Sequence, residues 1–122
     1  DWTQPQEFED NIYVACSRGI YKWSDTNEKW NIVYLDDSHS ITDLESFDGN
    51  LYAARGESET YIFSSDGATW GDPSNIGSGN GRYVKFFAKG RNASGDLALF
   101  KTRANQLVIL LQKYSVVTLT EQ

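Results

Sequence analysis

The sequence predicts an all-β protein built from a repeated unit, and three observations lead to this class. Two segments of similar sequence lie about forty residues apart, which indicates stacked supersecondary units. Each segment contains short runs of Tyr, Ile, Val and Phe separated by Gly, Asn and Asp, the composition of antiparallel strands and their turns. Aromatic residues make up 14% of the 122 residues, a content that favours a packed β protein over a disordered chain.

The two copies align along most of their length. The first copy begins with Asn11-Ile12-Tyr13-Val14-Ala15 and ends at Trp30. The second begins with Asn50-Leu51-Tyr52-Ala53-Ala54 and ends at Trp70. The offset is 39 residues at the start of the copies (Asn11 to Asn50) and 40 at their end (Trp30 to Trp70). We attribute the change in offset to one inserted residue between the second and third strands. With this insertion, Tyr21 of the first copy aligns with Tyr61 of the second.

Each copy has room for four strands. In the second copy the predicted strands are residues 41–47, 51–55, 60–64 and 68–73. Four strands in about forty residues is the meander of one β-propeller blade. A third copy is predicted with strands at residues 83–88, 97–102, 106–112 and 115–120. A terminal blade or a different hairpin unit is the alternative for this region. The blade-like repeats therefore span residues 1–35, 41–74 and 82–122 of a single β-propeller segment.

Three blades leave the ring incomplete, because propellers typically contain four to eight. An open ring exposes sheet faces that would otherwise lie between blades, and exposed apolar surface of that size implies a neighbour. We therefore expect additional propeller blades as partners, from the same chain, from further copies of it, or from another protein.

Composition argues against several classes of function. The formal net charge is -6 and no run of Lys and Arg is present, so neither a nucleic acid nor an anionic membrane surface is an expected partner. The longest apolar run, residues 107–111, has the length of a strand. Cys16, the single cysteine of the chain, cannot form an internal disulfide and is expected to be a buried or half-buried thiol. We expect no cofactor and no metal, because the spacing of metal-binding motifs is missing.

A seven-residue motif in the second copy, Ser64-Ser65-Asp66-Gly67-Ala68-Thr69-Trp70, resembles the Asp-box of sialidase-type (BNR repeat) β-propellers. In such a turn the Ser and Asp side chains accept backbone hydrogen bonds, Gly supplies a positive φ, and Trp packs the turn onto the sheet. The first copy keeps the two ends of the motif, Ser24 and Trp30. The resemblance implies that the box lies at the rim away from the ligand-binding face. The predicted structural turn residues are Ser64, Asp66, Gly67, Trp70, Ser24 and Trp30.

Loops on the opposite rim supply the candidate ligand-binding residues, since binding sites commonly lie on loops of a rigid scaffold. The segment from Asp36 to Ser40 contains the residue types of a nucleophilic triad and the single His of the chain. Neighbouring residues on one loop cannot align the hydrogen bonds of a triad, so we interpret the segment as a solvated acidic loop. A divalent cation held there with a carboxylate of the neighbouring blade is the alternative. The candidate ligand-binding residues are Arg18, Asp36, Asp37, His39, Arg55 and Glu57.

Two arginines and the aromatic residues allow a carbohydrate hypothesis. Arg18 and Arg55 fall at about equivalent places in the two copies, and sialidase-type catalysis uses an arginine cluster and a Tyr nucleophile paired with an acid. Solvent-exposed loop arginines paired with Glu57, Glu59 or Asp37 are the simpler interpretation. Trp2 and Tyr34 are the aromatic residues best placed for ligand contact. Six others are expected to pack in the core: Tyr13, Tyr21, Trp23, Tyr52, Tyr61 and Phe63.

Three functions remain open at this level. The favoured one is a non-catalytic β-propeller module that binds or supports a larger assembly, such as a phage tail, a virion or a secreted surface protein. The second is a lectin-like oligomer that completes the ring with copies of itself and binds glycans. The third is a fragment of a sialidase-type glycosidase whose catalytic blades lie elsewhere. No catalytic residue is assigned.

Overall fold

A computed structural model describes residues 2–56, 60–71, 74–75, 87–103 and 106–113. In this part of the chain every regular element is a strand, and all pairings between strands are antiparallel. The expected all-β class is thus confirmed. The described residues include no helix with the length and hydrophobicity needed to cross a membrane.

The strands form three sheets that follow one another along the chain. The first sheet has the order β1-β2-β3-β4 and the second the order β5-β6-β7-β8, so both are four-stranded meanders. The third has the order β11-β10-β9 within the described residues. The strands are β1 Gln6–Phe8, β2 Asn11–Cys16, β3 Gly19–Ser24, β4 Lys29–Leu35, β5 Asp43–Phe47, β6 Asn50–Ala54, β7 Thr60–Ser64, β8 Ser74–Asn75, β9 Phe87–Arg91, β10 Leu97–Arg103 and β11 Gln106–Lys113.

The first hairpins of the first two sheets contain the same kind of turn. Glu9 and Asp10 join β1 to β2 with φ of 50° and 62°, and Asp48 and Gly49 join β5 to β6 with φ of 48° and 84°. Two successive positive φ values match the tight turn whose twist suits an antiparallel hairpin, and Asp and Gly tolerate this conformation. The two sheets therefore begin with the same register.

Strand positions in the second sheet differ from the expected ones at its two ends. The first strand was expected at residues 41–47 and is observed at 43–47, and the fourth was expected at 68–73 and is observed at 74–75. Residues 64–69 instead form a turn in which side chains accept the backbone N–H groups, so these groups do not enter the ladder. In the third copy the predicted strand 115–120, and most of the predicted strand 83–88, lie outside the described residues.

The pairing register corrects the alignment of the two copies in their third strands. Tyr13 lies opposite Lys22 in the first sheet, whereas the equivalent Tyr52 lies opposite Phe63 in the second. The offset in the third strand is therefore 41 residues, and the longer second hairpin contains two inserted residues rather than one. Because a shift of one residue reverses which face a side chain occupies, the structural equivalent of Tyr21 is Ile62 and not Tyr61.

Two apolar cores hold the three sheets together, and each lies between successive sheets. One core lies between the first and second sheets, and it is formed by Phe8, Tyr13, Ala15, Ile20, Ile41, Leu44, Leu51, Ala53 and Ile62. The other lies between the second and third sheets, and it is formed by Phe47, Tyr52, Ala54, Phe87 and Leu99. The middle sheet thus buries both faces, in agreement with the nearly continuous apolar sequence of β6.

Aromatic residues divide between the cores and the surface. Tyr13 and Tyr52 are buried, as expected, while Tyr21, Trp23 and Tyr61 are half-buried. The expectation of core packing is wrong for Phe63, which is 37% exposed. Its ring stacks on Tyr52 at a centroid distance of 5.5 Å, but its outer side faces solvent.

Polar contacts supplement the apolar core between the second and third sheets. The carboxylate of Asp43 accepts a hydrogen bond of 2.8 Å from the backbone N–H of Phe87, and Lys89 forms an ion pair of 3.3 Å with Glu45. Burial raises the pKa of Asp43 to about 6, although the N–H groups of Phe87 and Leu44 favour its ionised form.

Candidate functional site

The loop that follows β4 folds around the side chain of Asp36. The Oδ1 atom of Asp36 accepts hydrogen bonds from the backbone N–H groups of Ser38 at 3.0 Å and His39 at 2.8 Å. This is an Asx-type turn, in which a carboxylate takes the place of a backbone carbonyl. The backbone N–H of Asp36 donates to the carbonyl of Arg18, which attaches this loop to the β2–β3 hairpin.

Asp36 also forms an ion pair that connects the first sheet to the second. Arg55 follows the last residue of β6, and its Nε atom lies 2.6 Å from Oδ2 of Asp36 while its Nη2 atom lies 3.0 Å from Oδ1. Such a two-point contact is the strongest geometry for an arginine and a carboxylate. Asp36 is fully buried and Arg55 is 6% exposed.

Three further side chains complete this buried cluster. Tyr34 donates its hydroxyl to Oδ2 of Asp36 at 3.2 Å, and Nη1 of Arg55 donates to Oγ1 of Thr60 at 2.6 Å. Nη2 of Arg55 lies 3.2 Å from Nδ1 of His39. Since a guanidinium only donates, this contact is a hydrogen bond when Nδ1 of His39 carries no proton. We call Tyr34, Asp36, His39, Arg55 and Thr60 the Asp36–Arg55 cluster.

The electrostatics of the cluster stabilise its charged form. Burial would raise the pKa of Asp36, but the hydrogen bonds from Arg55, Ser38 and His39 outweigh that effect and hold it well below its usual range. The hydrogen bond to Asp36 raises the pKa of Arg55. Burial, followed by the charge of Asp36, raises the pKa of Tyr34. General acid–base catalysis favours groups that exchange a proton near neutral pH, and none of these three shifts has that direction.

The cluster overturns two expectations drawn from the sequence. Asp36 does not lie on a solvated acidic loop, because its carboxylate is surrounded by hydrogen-bond donors of both sheets. Arg55 is not a solvent-exposed arginine paired with Glu57, Glu59 or Asp37. Both expectations failed because the contact between Asp36 and Arg55 forms only when the two sheets stack. Glu57 and Glu59 lie outside the described residues.

Arg18 and Arg55 are not equivalent, contrary to the alignment of the two copies. Arg55 follows Ala54, whose counterpart is Ala15, so the structural counterpart of Arg55 is Cys16. Arg18 is exposed, and its Nη1 atom donates to the carbonyl of Asp37 at 2.9 Å. The two guanidinium groups therefore do not form one anion-binding pair.

Ser38, His39 and Asp37 come close together on the surface without forming a triad. The hydroxyl of Ser38 lies 3.0 Å from Nδ1 of His39 and 3.1 Å from the carboxylate of Asp37. In a triad the carboxylate orients the His, whereas here it contacts the Ser. The same Nδ1 atom also faces Arg55. The neighbouring sheet supplies Asp36 with a guanidinium rather than with the carboxylate that a cation site would require.

The seven-residue motif at residues 64–70 folds into a turn after β7. Oδ1 of Asp66 accepts hydrogen bonds of 2.8 Å from the backbone N–H groups of both Ala68 and Thr69. Oγ of Ser64 accepts one of 2.8 Å from Gly67 and donates one of 2.9 Å to Asp66. The backbone hydrogen bonds lower the pKa of Asp66 to about 2. Gly67 has φ of 78°.

The two tryptophans that the sequence aligned occupy different environments. Trp70 packs against the core between the first and second sheets, where its ring lies 5.8 Å from that of Tyr34. Trp30 belongs to β4, lies opposite Trp23 and is 36% exposed. Oγ of Ser24 accepts a hydrogen bond of 3.2 Å from the N–H of Asn27, the same contact that Oγ of Ser64 makes with Gly67. The turn of the first sheet differs because strand pairing resumes directly after it, with Lys29 opposite Ser24.

A cleft opens beside the β2–β3 hairpin, with a volume of 340 Å³. Its walls combine the indole of Trp2, which is 57% exposed, with several hydroxyl side chains. The lining residues are Trp2, Thr3, Ser17, Ser40, Ile41 and Thr42. Of the two aromatic residues proposed for ligand contact, Trp2 lines this cleft, whereas Tyr34 belongs to the Asp36–Arg55 cluster. The sequence did not indicate the cleft, because its two sides come from different sheets.

The described residues contain no group of three or more His, Cys, Asp or Glu side chains that could hold a metal ion.

Comparison with known proteins gives a likeness in fold. No protein-family model and no curated protein sequence matches the chain. Among solved structures, the extracellular domain of BT4673 from B. thetaiotaomicron is similar, with a TM-score of 0.55 and 14% sequence identity. The match covers 92% of this chain and 17% of that one. At this identity the likeness bears on the fold alone.

Proposed function

We propose that this chain is a non-catalytic β-propeller module that serves as a binding or architectural part of a larger assembly, such as a secreted surface protein or a virion. The observation that carries the proposal is the repeated relation between successive sheets. Tyr13 in β2 faces the second sheet, and its counterpart Tyr52 in β6 faces the third. Units that stack through the same strand positions produce a repetitive array whose ends need further units.

The absence of catalysis is supported by how the polar residues are used. The described side chains with the most strongly lowered pKa values, those of Asp36 and Asp66, accept hydrogen bonds that close loops or connect sheets. In a sialidase-type site a free guanidinium would bind the carboxylate of the substrate. Here Arg55 is buried against Asp36, and the hydroxyl of Tyr34, with its raised pKa, is a poorer nucleophile.

A part in a larger assembly is supported by the number of units. The described residues form two four-stranded sheets and one three-stranded sheet, fewer units than the four to eight blades of a closed propeller. The matched region of the BT4673 extracellular domain is also a minor part of a longer chain.

Two measurements on the purified chain test this proposal. We expect light scattering to give a monomer or a polydisperse population, and we expect no hydrolysis of fluorogenic sialosides or other aryl glycosides. Turnover that disappears in Arg55→Lys, and persists in the exposed control Arg18→Lys, would contradict the non-catalytic assignment.

The cleft at Trp2 favours a second candidate, a lectin-like oligomer. An exposed indole bordered by hydroxyl groups is suited to stacking on a sugar ring and to hydrogen bonding with its hydroxyls. This candidate requires a discrete oligomer in light scattering and glycan binding that is lost in Trp2→Ala. Glycan binding without oligomerisation would support a monomeric binding module instead.

A further inference from the structure

The first sheet has one apolar face that no other part of the described chain covers. Alternation along the strands places one set of side chains away from the second sheet. Rings on this side contact one another, with centroid distances of 5.5 Å between Trp2 and Tyr21 and 6.5 Å between Trp2 and Trp30. We call this surface the outer face, and its main residues are Trp2, Ile12, Val14, Tyr21, Trp30 and Ile32. Four of them are more than a third exposed: Trp2 57%, Ile12 39%, Trp30 36% and Ile32 51%.

Each central position of the outer face has a counterpart that is buried in the second sheet. The backbone N–H of Thr3 donates to the carbonyl of Ala15, and the backbone N–H of Thr42 donates to the carbonyl of Ala54. Thr3 and Thr42 are therefore counterparts, and so are the residues that precede them, Trp2 and Ile41. The strand registers pair Ile12 with Leu51, Val14 with Ala53 and Tyr21 with Ile62. All four counterparts, Ile41, Leu51, Ala53 and Ile62, are at most 3% exposed, because they form the surface on which the first sheet packs.

We propose that the outer face of the first sheet binds a further four-stranded β unit, in the same orientation in which the first sheet binds the second. This inference rests on the proposed propeller function, and it names the partner of the outer face. The occupant is a unit of the same repeat and not a second copy of this chain. A second copy arranged head to tail would offer the far face of its third sheet, where Ala98 is already fully buried and Thr102 is 6% exposed.

The contacts between the first two sheets define the chemistry of the missing unit. Its two middle strands present side chains like those that the first sheet directs toward the second, such as Tyr13 and Ala15 of β2 and Ile20 of β3. At the place of Asp36, however, it carries an uncharged residue. The outer face offers Cys16 at the place of Arg55, and a buried carboxylate without its guanidinium would be strongly unfavourable. The expected contact is therefore apolar where the contact between the first two sheets is ionic.

A lengthened chain tests the proposal directly. Residues 2–40 are repeated between Asp1 and Trp2, so that Ser40 of the added unit joins Trp2 as it joins Ile41 in the natural chain. The added unit carries Asp36→Asn, which keeps an acceptor for Ser38 and His39, and Cys16→Ser. The original Cys16, half-buried on the outer face, is then the single thiol of the molecule.

The readouts are the rate of thiol labelling by a maleimide and the midpoint of thermal unfolding. We expect labelling of Cys16 to slow by at least about tenfold, since labelling then requires local opening, and the midpoint to rise by roughly 5 °C or more. The matched control carries Tyr13→Asp and Ile20→Asp in the added unit only, which prevents packing, and should label like the natural chain. Ile12→Ser should lower the midpoint more in the lengthened chain than in the natural one.

Three results would overturn the proposal. One is equal labelling of Cys16 in the lengthened chain and its control, whether or not the added unit folds. Another is an effect of Ile12→Ser that is the same in both chains. The third is a discrete dimer of the natural chain that protects Cys16, because the occupant would then be a second copy. None of these results depends on glycoside hydrolysis, so failure of the docking surface is distinguishable from failure of the non-catalytic function.

Discussion

Tyr13 and Gly67 contact each other across the boundary between the first and second sheets. Gly67 has φ of 78° and lies so close to the phenol ring that an added Cβ would stand 2.7 Å from Cζ of Tyr13. The glycine of this turn therefore meets two requirements, a left-handed backbone and room for the tyrosine of the preceding repeat.

This contact predicts the effect of adding one methyl group. Gly67→Ala should destabilise the protein by roughly 2–4 kcal/mol, from backbone strain together with overpacking. Gly49→Ala is the matched control, because Gly49 has φ of 84° but nothing within 4 Å of the added Cβ, and it should cost about 1 kcal/mol. Chemical denaturation measures both. Tyr13→Phe should partly relieve Gly67→Ala in the double variant, and strictly additive effects would argue against the contact.

The ion pair between Asp36 and Arg55 predicts strong coupling between two sheets. Asp36→Asn and Arg55→Met should each lower the free energy of unfolding by roughly 3–5 kcal/mol, because each leaves its partner buried and uncompensated. The double variant should lose less than the sum of the two losses. Arg18→Met is the control, and as a surface substitution it should stay within about 0.5 kcal/mol of the natural chain. Additive losses in urea unfolding would contradict a direct ionic interaction.

The pKa of Asp43 predicts a component of stability that falls as pH rises. Its folded value of about 6 lies above the ordinary value of 3.8, so the folded state binds this proton more tightly than the unfolded state does. Ionisation therefore begins to oppose folding above about pH 4 and does so fully above about pH 6, at a cost on the order of 1–3 kcal/mol.

Asp43→Asn should remove this component while keeping an acceptor for the N–H of Phe87. We expect the variant to exceed the natural chain in stability at pH 7 and to lose that advantage at pH 4, as measured by urea unfolding. Asp36 and Asp66 act in the opposite direction, since their lowered pKa values contribute stability that is lost as pH falls below about 4. Asp37→Asn, on the exposed loop, is the control. An unchanged pH profile in Asp43→Asn would disprove the assignment.

The different surroundings of Trp70 and Trp30 predict unequal losses on truncation. Trp70→Ala should cost about 3–5 kcal/mol, because its ring packs against the core and the ring of Tyr34. Trp30→Ala should cost roughly 1 kcal/mol, mostly from its edge contact with Trp23. Equal losses in thermal unfolding would mean that the two residues are equivalent after all, as the simple alignment of the copies suggested.

Much of the local architecture was predictable from the sequence. The first three strands of the second repeat and the hydrogen bonds made by Asp66 follow from alternation and from side chains that compete with the ladder. These are interactions between residues close in sequence. The register of the third strands was missed, because hairpin length depends on pairing geometry that sequence alignment does not contain.

The candidate site was only partly predictable for a related reason. Asp36, His39 and Arg55 were recognised as candidates by their residue types and their loops, but the interpretation as solvated groups was wrong for Asp36 and Arg55. Asp36 and Arg55 are buried, and paired with each other, only because the first sheet stacks on the second.

The sequence by itself determined the all-β class, the repeated unit and the hydrogen-bonded turn at Asp66, because periodicity and turn chemistry act within a few residues. Only the tertiary structure decided that Asp36 pairs with Arg55, that Trp70 is packed while Trp30 is exposed, and that Trp2 and Ile12 form an uncovered face. Each of these depends on the stacking of separate sheets, where side chains about twenty to forty residues apart meet and a charge gains its partner by losing water.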